Sequence, residues 1–148
     1  MITEVFEEAR AISAETGLEL TLPSLSPDFS RKCHFVEDGS AFVSWKGEVY
    51  PCYFLWHHYS FFQNGRSVKV TAKSFGDLDS QDINQIWNGN EFTIFREKVM
   101  KYDYPFCENC NLGPCSLFTE KEFEYDCYAK DIPCGCCPWC GGLLHCLQ

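Results

Sequence analysis

Eleven cysteines punctuate this chain of 148 residues, and nine of them lie beyond position 106. They run as Cys107-Glu-Asn-Cys110-Asn-Leu-Gly-Pro-Cys115, then Cys127, then Cys134-Gly-Cys136-Cys137-Pro-Trp-Cys140 and Cys146, with Cys33 and Cys52 far upstream. Thiolates two residues apart can point at one metal centre while backbone amides turn toward the sulfurs, whereas they are poorly placed to bond to each other. Thiolate is also the soft ligand that selects zinc, cuprous ions or iron–sulfur clusters over oxygen-preferring metals. Four thiolates complete a zinc site or a cubane cluster, so this supply implies two centres with spares. Cys107-x2-Cys110 is a chelating pair, and Cys115 past Gly113-Pro114 can add a third ligand. Cys134-x2-Cys137 overlaps Cys137-x2-Cys140, so only one pairing can chelate through both ends. Spacing alone does not fix the metal.

No other chemistry is written in the chain. There is no serine or cysteine nucleophile with a matched base and no glycine-rich phosphate loop. Glu7-Glu8 and Glu120 to Asp126 sit in solvated stretches rather than as an acid/base pair. His34, His57, His58 and His145 lack a paired spacing with the cysteines, except His145 beside Cys146, and read as surface or packing residues. A net charge of −9 argues against nucleic acid, whose phosphates need Lys and Arg. No apolar run approaches the ~18 residues of a membrane span. The N-terminus, Met1-Ile-Thr-Glu-Val-Phe-Glu-Glu8, is acidic where a signal peptide would be basic and then apolar. The expected compartment is therefore the reducing cytoplasm, where disulfides are uncommon.

The elements that must position these thiols are short. Thr3 to Thr16 reads as a helix capped by Thr3, with Val5, Ala9 and Ile12 on one face and Gly17 as the stop. Leu18 to Leu22 alternates like a strand and ends at Pro23. The stretch from Pro23 to Ser30 has linker composition. A hairpin is expected from Ala41–Trp45 and Glu48–Tyr50 around Lys46-Gly47, with Pro51 ending the second strand just before Cys52. Asn64-Gly65 predicts a second hairpin returning through Val68–Val70. Two helices should follow, Gln81 to Asn88 capped by Ser80, and Glu91 to Tyr102 capped by Asn90 with Phe92, Phe95, Val99 and Tyr102 near one face. Beyond Tyr104-Pro105 the metal must set the fold. The aromatic run Tyr53 to Phe62 reads as core, as a face for another domain, or as a substrate cleft.

Taken together, these residues resemble the SPASM domain of radical SAM maturases. The resemblance rests on Cys33-x13-Gly47-x4-Cys52, on Cys107-x2-Cys110-x4-Cys115, and on the hairpin Phe42-Val-Ser-Trp-Lys-Gly-Glu-Val-Tyr-Pro-Cys52. It extends to Ser74-Phe-Gly-Asp-Leu78 with Gln85-Ile-Trp-Asn88 and Phe95-Arg96, and to the tail from Asp126-Cys127 through Pro133–Trp139 to Cys146-Leu147. Three departures stand out. Cys110 to Cys115 is one residue shorter than the usual pattern, Cys115 to Cys127 is much longer, and no cysteine precedes Cys33.

The resemblance implies an α+β fold: a small cysteine-rich iron–sulfur domain with β-hairpins, two or three helices and a long irregular metal-organised tail. It implies two auxiliary [4Fe–4S] clusters, with zinc as the alternative. One cluster would take Cys33, Cys52 and Cys127, the other Cys107, Cys110 and Cys115. Cys134, Cys137 and Cys146 would supply the remaining ligands, leaving Cys136 and Cys140 as spares. Residues 31–148 would form this domain, and residues 1–30 would be the last helix and strand of a radical SAM barrel plus a linker. The S-adenosylmethionine motif CxxxCxxC is missing, because Leu143 follows Cys136-x3-Cys140 where its third cysteine would stand. The expected function is electron relay and substrate positioning beside a barrel not on this chain, with a peptide or protein substrate and an electron donor protein as partners. A stand-alone ferredoxin-like carrier and a zinc-stabilised interaction domain are the alternatives, and catalytic completeness of this chain alone is not expected.

Overall fold

The computed structural model describes residues 1–26, 30–63, 65–107, 110 and 132–145, with the backbone alone at position 66. The first helix, α1, spans Ile2–Thr16 and stops at Gly17, whose φ of 71° is left-handed and suits a residue without Cβ. No side chain caps it, so Thr3 lies inside the first turn rather than ahead of it. None of its residues is buried. The strand expected over Leu18 to Leu22 is not formed: these residues have no regular structure and no ladder partner among the described residues. Alternation creates a strand only where a neighbouring strand accepts its backbone groups.

The chain then enters the body of the domain through a four-residue helix α2, His34–Glu37. Strands β1 (Phe42–Val43) and β2 (Glu48–Tyr50) form the first hairpin, with Phe42 opposite Tyr50 and Val43 opposite Val49. The amide of Gly47, at φ 80°, donates to the Ser44 carbonyl at 3.0 Å and closes the turn. The second hairpin pairs β3 (Tyr59–Gln63) with β4 (Arg66–Val70), Gln63 facing Arg66. Gly65 takes φ 72° in that turn as expected, while Asn64 lies outside the described residues. A two-residue strand β5, Gly76–Asp77, which the sequence did not suggest, joins β2 to give the sheet order β1-β2-β5.

Helix α3 is shorter than expected, Ile83–Trp87, and its cap is Asp82 rather than Ser80. The Ser80 hydroxyl is already committed to the Asp77 carboxylate at 3.0 Å, and Asp82 forms a capping box with Gln85. Helix α4 spans Asn90–Met100 with Gly89 at its N-cap, so Asn90 opens the helix instead of capping it. Phe92, Phe95 and Val99 are its buried face, as the periodicity predicts; Tyr102 lies past the end at φ 49°. The core gathers these with Val49, Phe54, Leu55, Val70, Ile86, Tyr104, Ile132 and Cys140. Much of the aromatic run is therefore core, though Phe62 at its end is 81% exposed. The architecture is a small α+β domain with short antiparallel sheets and few helices.

Candidate metal centre

Three separate stretches deliver thiols to this core, and a fourth brings Cys107 beside Cys136. Cys33 sits at the N-cap of α2, where its amide donates to the Tyr102 hydroxyl at 2.9 Å, and that hydroxyl donates in turn to the Glu37 carboxylate. Cys52 follows the buried Pro51 at the end of β2, the point where the proline prevents further pairing. Past position 131 a 3-10 turn, Pro133–Cys136, opens on a proline whose fixed φ suits a helical first position. With about three residues per turn, side chains three apart eclipse. Cys134 and Cys137 therefore share a side, and the Cys137 amide donates to the Cys134 carbonyl at 3.1 Å. Cys136 faces elsewhere. The Lys32 amide donates to the Cys140 carbonyl at 3.2 Å, which ties the tail back beside Cys33.

Cys134, Cys137 and Cys140 line one small pocket with Arg31, Tyr104, Phe106, Gly135 and Gly141. Cys134 feels the charge of Cys137, Cys52, Cys33 and Cys140, so these five sulfurs form one electrostatic group. Trp139, between Cys137 and Cys140 in the chain, packs on the core, edge-on to Tyr53 at 5.0 Å and Phe54 at 5.9 Å. A second group lies across the turn. Cys136 and Cys107 are buried together with Val68, and the Cys110 amide donates to the Cys107 carbonyl at 3.2 Å. Gly135 makes that approach possible: a Cβ there would stand 2.6 Å from the Pro105 carbonyl oxygen and 3.1 Å from the Cys107 sulfur.

Cys33, Cys52, Cys134 and Cys137 thus come together, and Cys107 stands with Cys110. The two cysteines read as spares are both drawn in, Cys140 to the first group and Cys136 to the second. Cys115, Cys127 and Cys146 lie outside the described residues. Spacing could not separate the overlapping tail pairs, whereas the 3-10 turn does so by pointing Cys136 away from its neighbours. No disulfide joins any two of the eight described cysteines. Among the described residues, no three His, Cys, Asp or Glu side chains converge tightly enough to clamp a single ion. His57 stacks on Tyr59 at 4.7 Å, and the His58 ring accepts from the Ala72 amide at 3.4 Å. No described helix is long and apolar enough to cross a membrane.

Burial and then the neighbouring sulfurs push the Cys134 and Cys137 thiols well above their ordinary value of 9.0. The sign of the consequence follows directly. Below about pH 9 both folded and unfolded metal-free chains hold these protons; above it the unfolded chain ionises and the folded one resists. Stability of the metal-free chain should therefore fall as pH rises from 7.5 to 10, read as a lower urea midpoint. A flat or rising midpoint would show that these thiols are not desolvated. Metal uptake displaces the same protons, so affinity should rise over that interval.

Thiols gathered beside the core of a small α+β scaffold are the chemistry of a soft-metal or cluster-binding class of domain. The particular family follows from comparison: residues 33–111 match the SPASM iron–sulfur cluster-binding domain, and the chain belongs to that family. The resemblance read from the cysteine spacing and hairpin is thereby borne out, and with it iron–sulfur binding. The chain is also 34% identical over 133 residues to the tungsten-containing aldehyde ferredoxin oxidoreductase cofactor-modifying protein of Pyrococcus furiosus, covering 90% of this chain and 37% of that one. It thus spans little more than a third of this relative's length. No solved structure matches it.

Proposed function

We propose that this chain is an auxiliary module carrying two [4Fe–4S] clusters, which relays electrons and helps position a substrate beside a radical SAM barrel. One observation carries the reading: thiols from three separate stretches gather in one group beside the core, with a second group, Cys107 and Cys136, on the other side of the Pro133–Cys136 turn. The donor set fits an iron–sulfur cluster, because the described residues lining the pocket offer sulfur and no carboxylate or imidazole. Cys33 and Cys52 would hold the first cluster with ligands from Cys134, Cys137 and Cys140, Cys127 being a further candidate. Cys107 and Cys110 would hold the second with Cys115, Cys136 or Cys146. A bound cluster supplies one-electron transfer. The protein's part is to orient the sulfurs, exclude water with Trp139 and Phe54, and aim backbone amides at the thiolates.

Residues 1–30 would make the junction to the barrel and 31–148 the cluster domain. The absence of any buried residue in α1 supports this, since an amphipathic helix with Val5 and Ile12 exposed suits a neighbour beyond this domain. Substrate class follows two leads. Maturases of the family suggest a peptide or protein, while the Pyrococcus relative is named for modifying the cofactor of a tungsten enzyme. An electron donor protein and a cytoplasmic setting complete the reading. Anaerobic expression with iron, followed by iron and sulfide analysis and EPR, tests it. A colourless, zinc-replete, folded protein would replace it with a zinc-stabilised interaction domain. Clusters that reduce and reoxidise without any barrel partner would favour a free ferredoxin-like carrier.

A further inference from the structure

Two groups beside the first thiol group have no part in ligation: the Tyr104 hydroxyl and the Arg31 guanidinium. Tyr104 is 1% exposed, and its Oη lies 3.0 Å from the sulfur of Cys140, itself 5% exposed. Either atom of a hydroxyl–thiol pair could donate. Once Cys140 is a thiolate it has no proton to give, so the hydroxyl must be the donor. A buried tyrosine needs a partner for its O–H, and the sulfur is that partner.

Arg31 is anchored through its backbone conformation, two carbonyls and two rings. Its backbone takes φ 36°, a left-handed conformation that a residue with a side chain adopts only where its surroundings enforce it. Nη1 donates to the carbonyl of Tyr102 at 3.2 Å and to that of Tyr104. The guanidinium carbon lies 5.0 Å from the ring centres of both Tyr104 and Phe106. Those contacts set the cation in the wall of the pocket that Cys134, Cys137 and Cys140 line. Among the described residues the partners of this cation are neutral carbonyls and aromatic faces, which leave its field to act on negative charge held in the pocket.

We infer that Arg31 and Tyr104 are positioning residues that set the reduction potential of the cluster held by the first thiol group. The inference rests on the two-cluster reading. One electron from an external low-potential donor adds one negative charge to the cluster; no bond breaks and Tyr104 keeps its proton. The O–H bond to sulfur and the nearby guanidinium both favour the more negative, reduced state, so each raises the potential.

The test is a redox titration of the full chain, reconstituted anaerobically with ferrous iron and sulfide and followed by EPR. Tyr104→Phe and Arg31→Gln should each lower the reduced-to-oxidised ratio of one cluster about tenfold at fixed potential, which is about 59 mV for one electron. The other cluster should not move, and Arg31→Lys should recover most of the shift. Tyr104→Phe should also erase an exchangeable-proton coupling seen by ENDOR in the wild type. If Arg31→Gln fails to load, Tyr104→Phe decides, because phenylalanine fills the same space. Loaded variants with unshifted potentials and an intact proton coupling would overturn this inference alone. A wild-type chain that takes up neither iron nor sulfide would overturn the two-cluster reading and this inference with it.

Discussion

Alanine at both Cys52 and Cys134 should remove one cluster and spare the other, taking iron from about eight to about four atoms per chain. Two replacements are needed because five sulfurs surround the first site, where Cys134 senses Cys137, Cys52, Cys33 and Cys140. Loss of a single thiol still leaves four. Loss of two leaves three, too few for a fully ligated cubane. Cys107→Ala with Cys110→Ala should delete the complementary half, since those residues stand with Cys136 across the turn. Chemical iron and sulfide analysis, with EPR spin counting of the reduced protein, reads the outcome. Either double variant losing all its iron would mean one interdependent centre, and either losing none would remove its cysteines from ligation. The scale of the effect is large. Metal–thiolate binding is worth about 10–16 kcal/mol in small zinc domains, comparable to or above the about 5–15 kcal/mol that holds a whole domain folded.

How much of this was legible in the sequence depends on whether the cause is local. The Gly47 and Gly65 turns were readable because a positive φ there selects glycine from its nearest neighbours alone. The buried face of α4 was readable for the same kind of reason, a helical period repeated over 11 residues. The cap of α3 was not, because Ser80 and Asp82 are equally good caps in isolation; the Asp77 turn, which occupies Ser80, decides between them. Strand β5 was invisible. Gly76 and Asp77 have weak strand preference and pair only because β2 presents an open edge. The expected strand at 18–22 fails for the mirror-image reason, a good pattern with no partner among the described residues.

The site divides along the same line. Cysteine spacing announced soft metal and, with the hairpin, the SPASM family. It could not say that a 3-10 turn would send Cys134 and Cys137 one way and Cys136 the other. Nor could it find Tyr104 and Arg31, which lie 36 residues or more from Cys140 and carry no motif. Their signal is contact alone. The sequence hint that did exist was indirect: a tyrosine flanking Pro105 just before the first chelating pair.

The second large effect concerns the scaffold rather than the sulfurs. Phe92→Ala should cost about 3–5 kcal/mol, a large share of the total stability of a domain this size. Phe92 is 1% exposed and its ring stacks on Phe75 with centres 4.4 Å apart and planes within 2°. Trp87 meets it edge-on at 5.3 Å, and the Arg96 guanidinium lies 4.6 Å from its centre and 3.9 Å from that of Trp87. One ring thus joins α3, α4 and the segment entering β5. Truncation would strip Phe75 of its stacked partner and Trp87 of its edge contact, leaving them Phe95 and Arg96 respectively, and would open space beside a guanidinium whose Nη1 has no hydrogen-bond partner among the described residues. None of these partners is a thiol, so the loss should appear as a lower urea midpoint in the metal-free chain. A loaded chain should retain its full iron at low denaturant, because ligation stabilises the folded state by mass action. A midpoint shift equivalent to less than about 1 kcal/mol would mean that the α3–α4 layer repacks around the gap. Iron loss at zero denaturant would mean instead that this layer, and not the hairpin and tail alone, holds Cys33 and Cys52 in place.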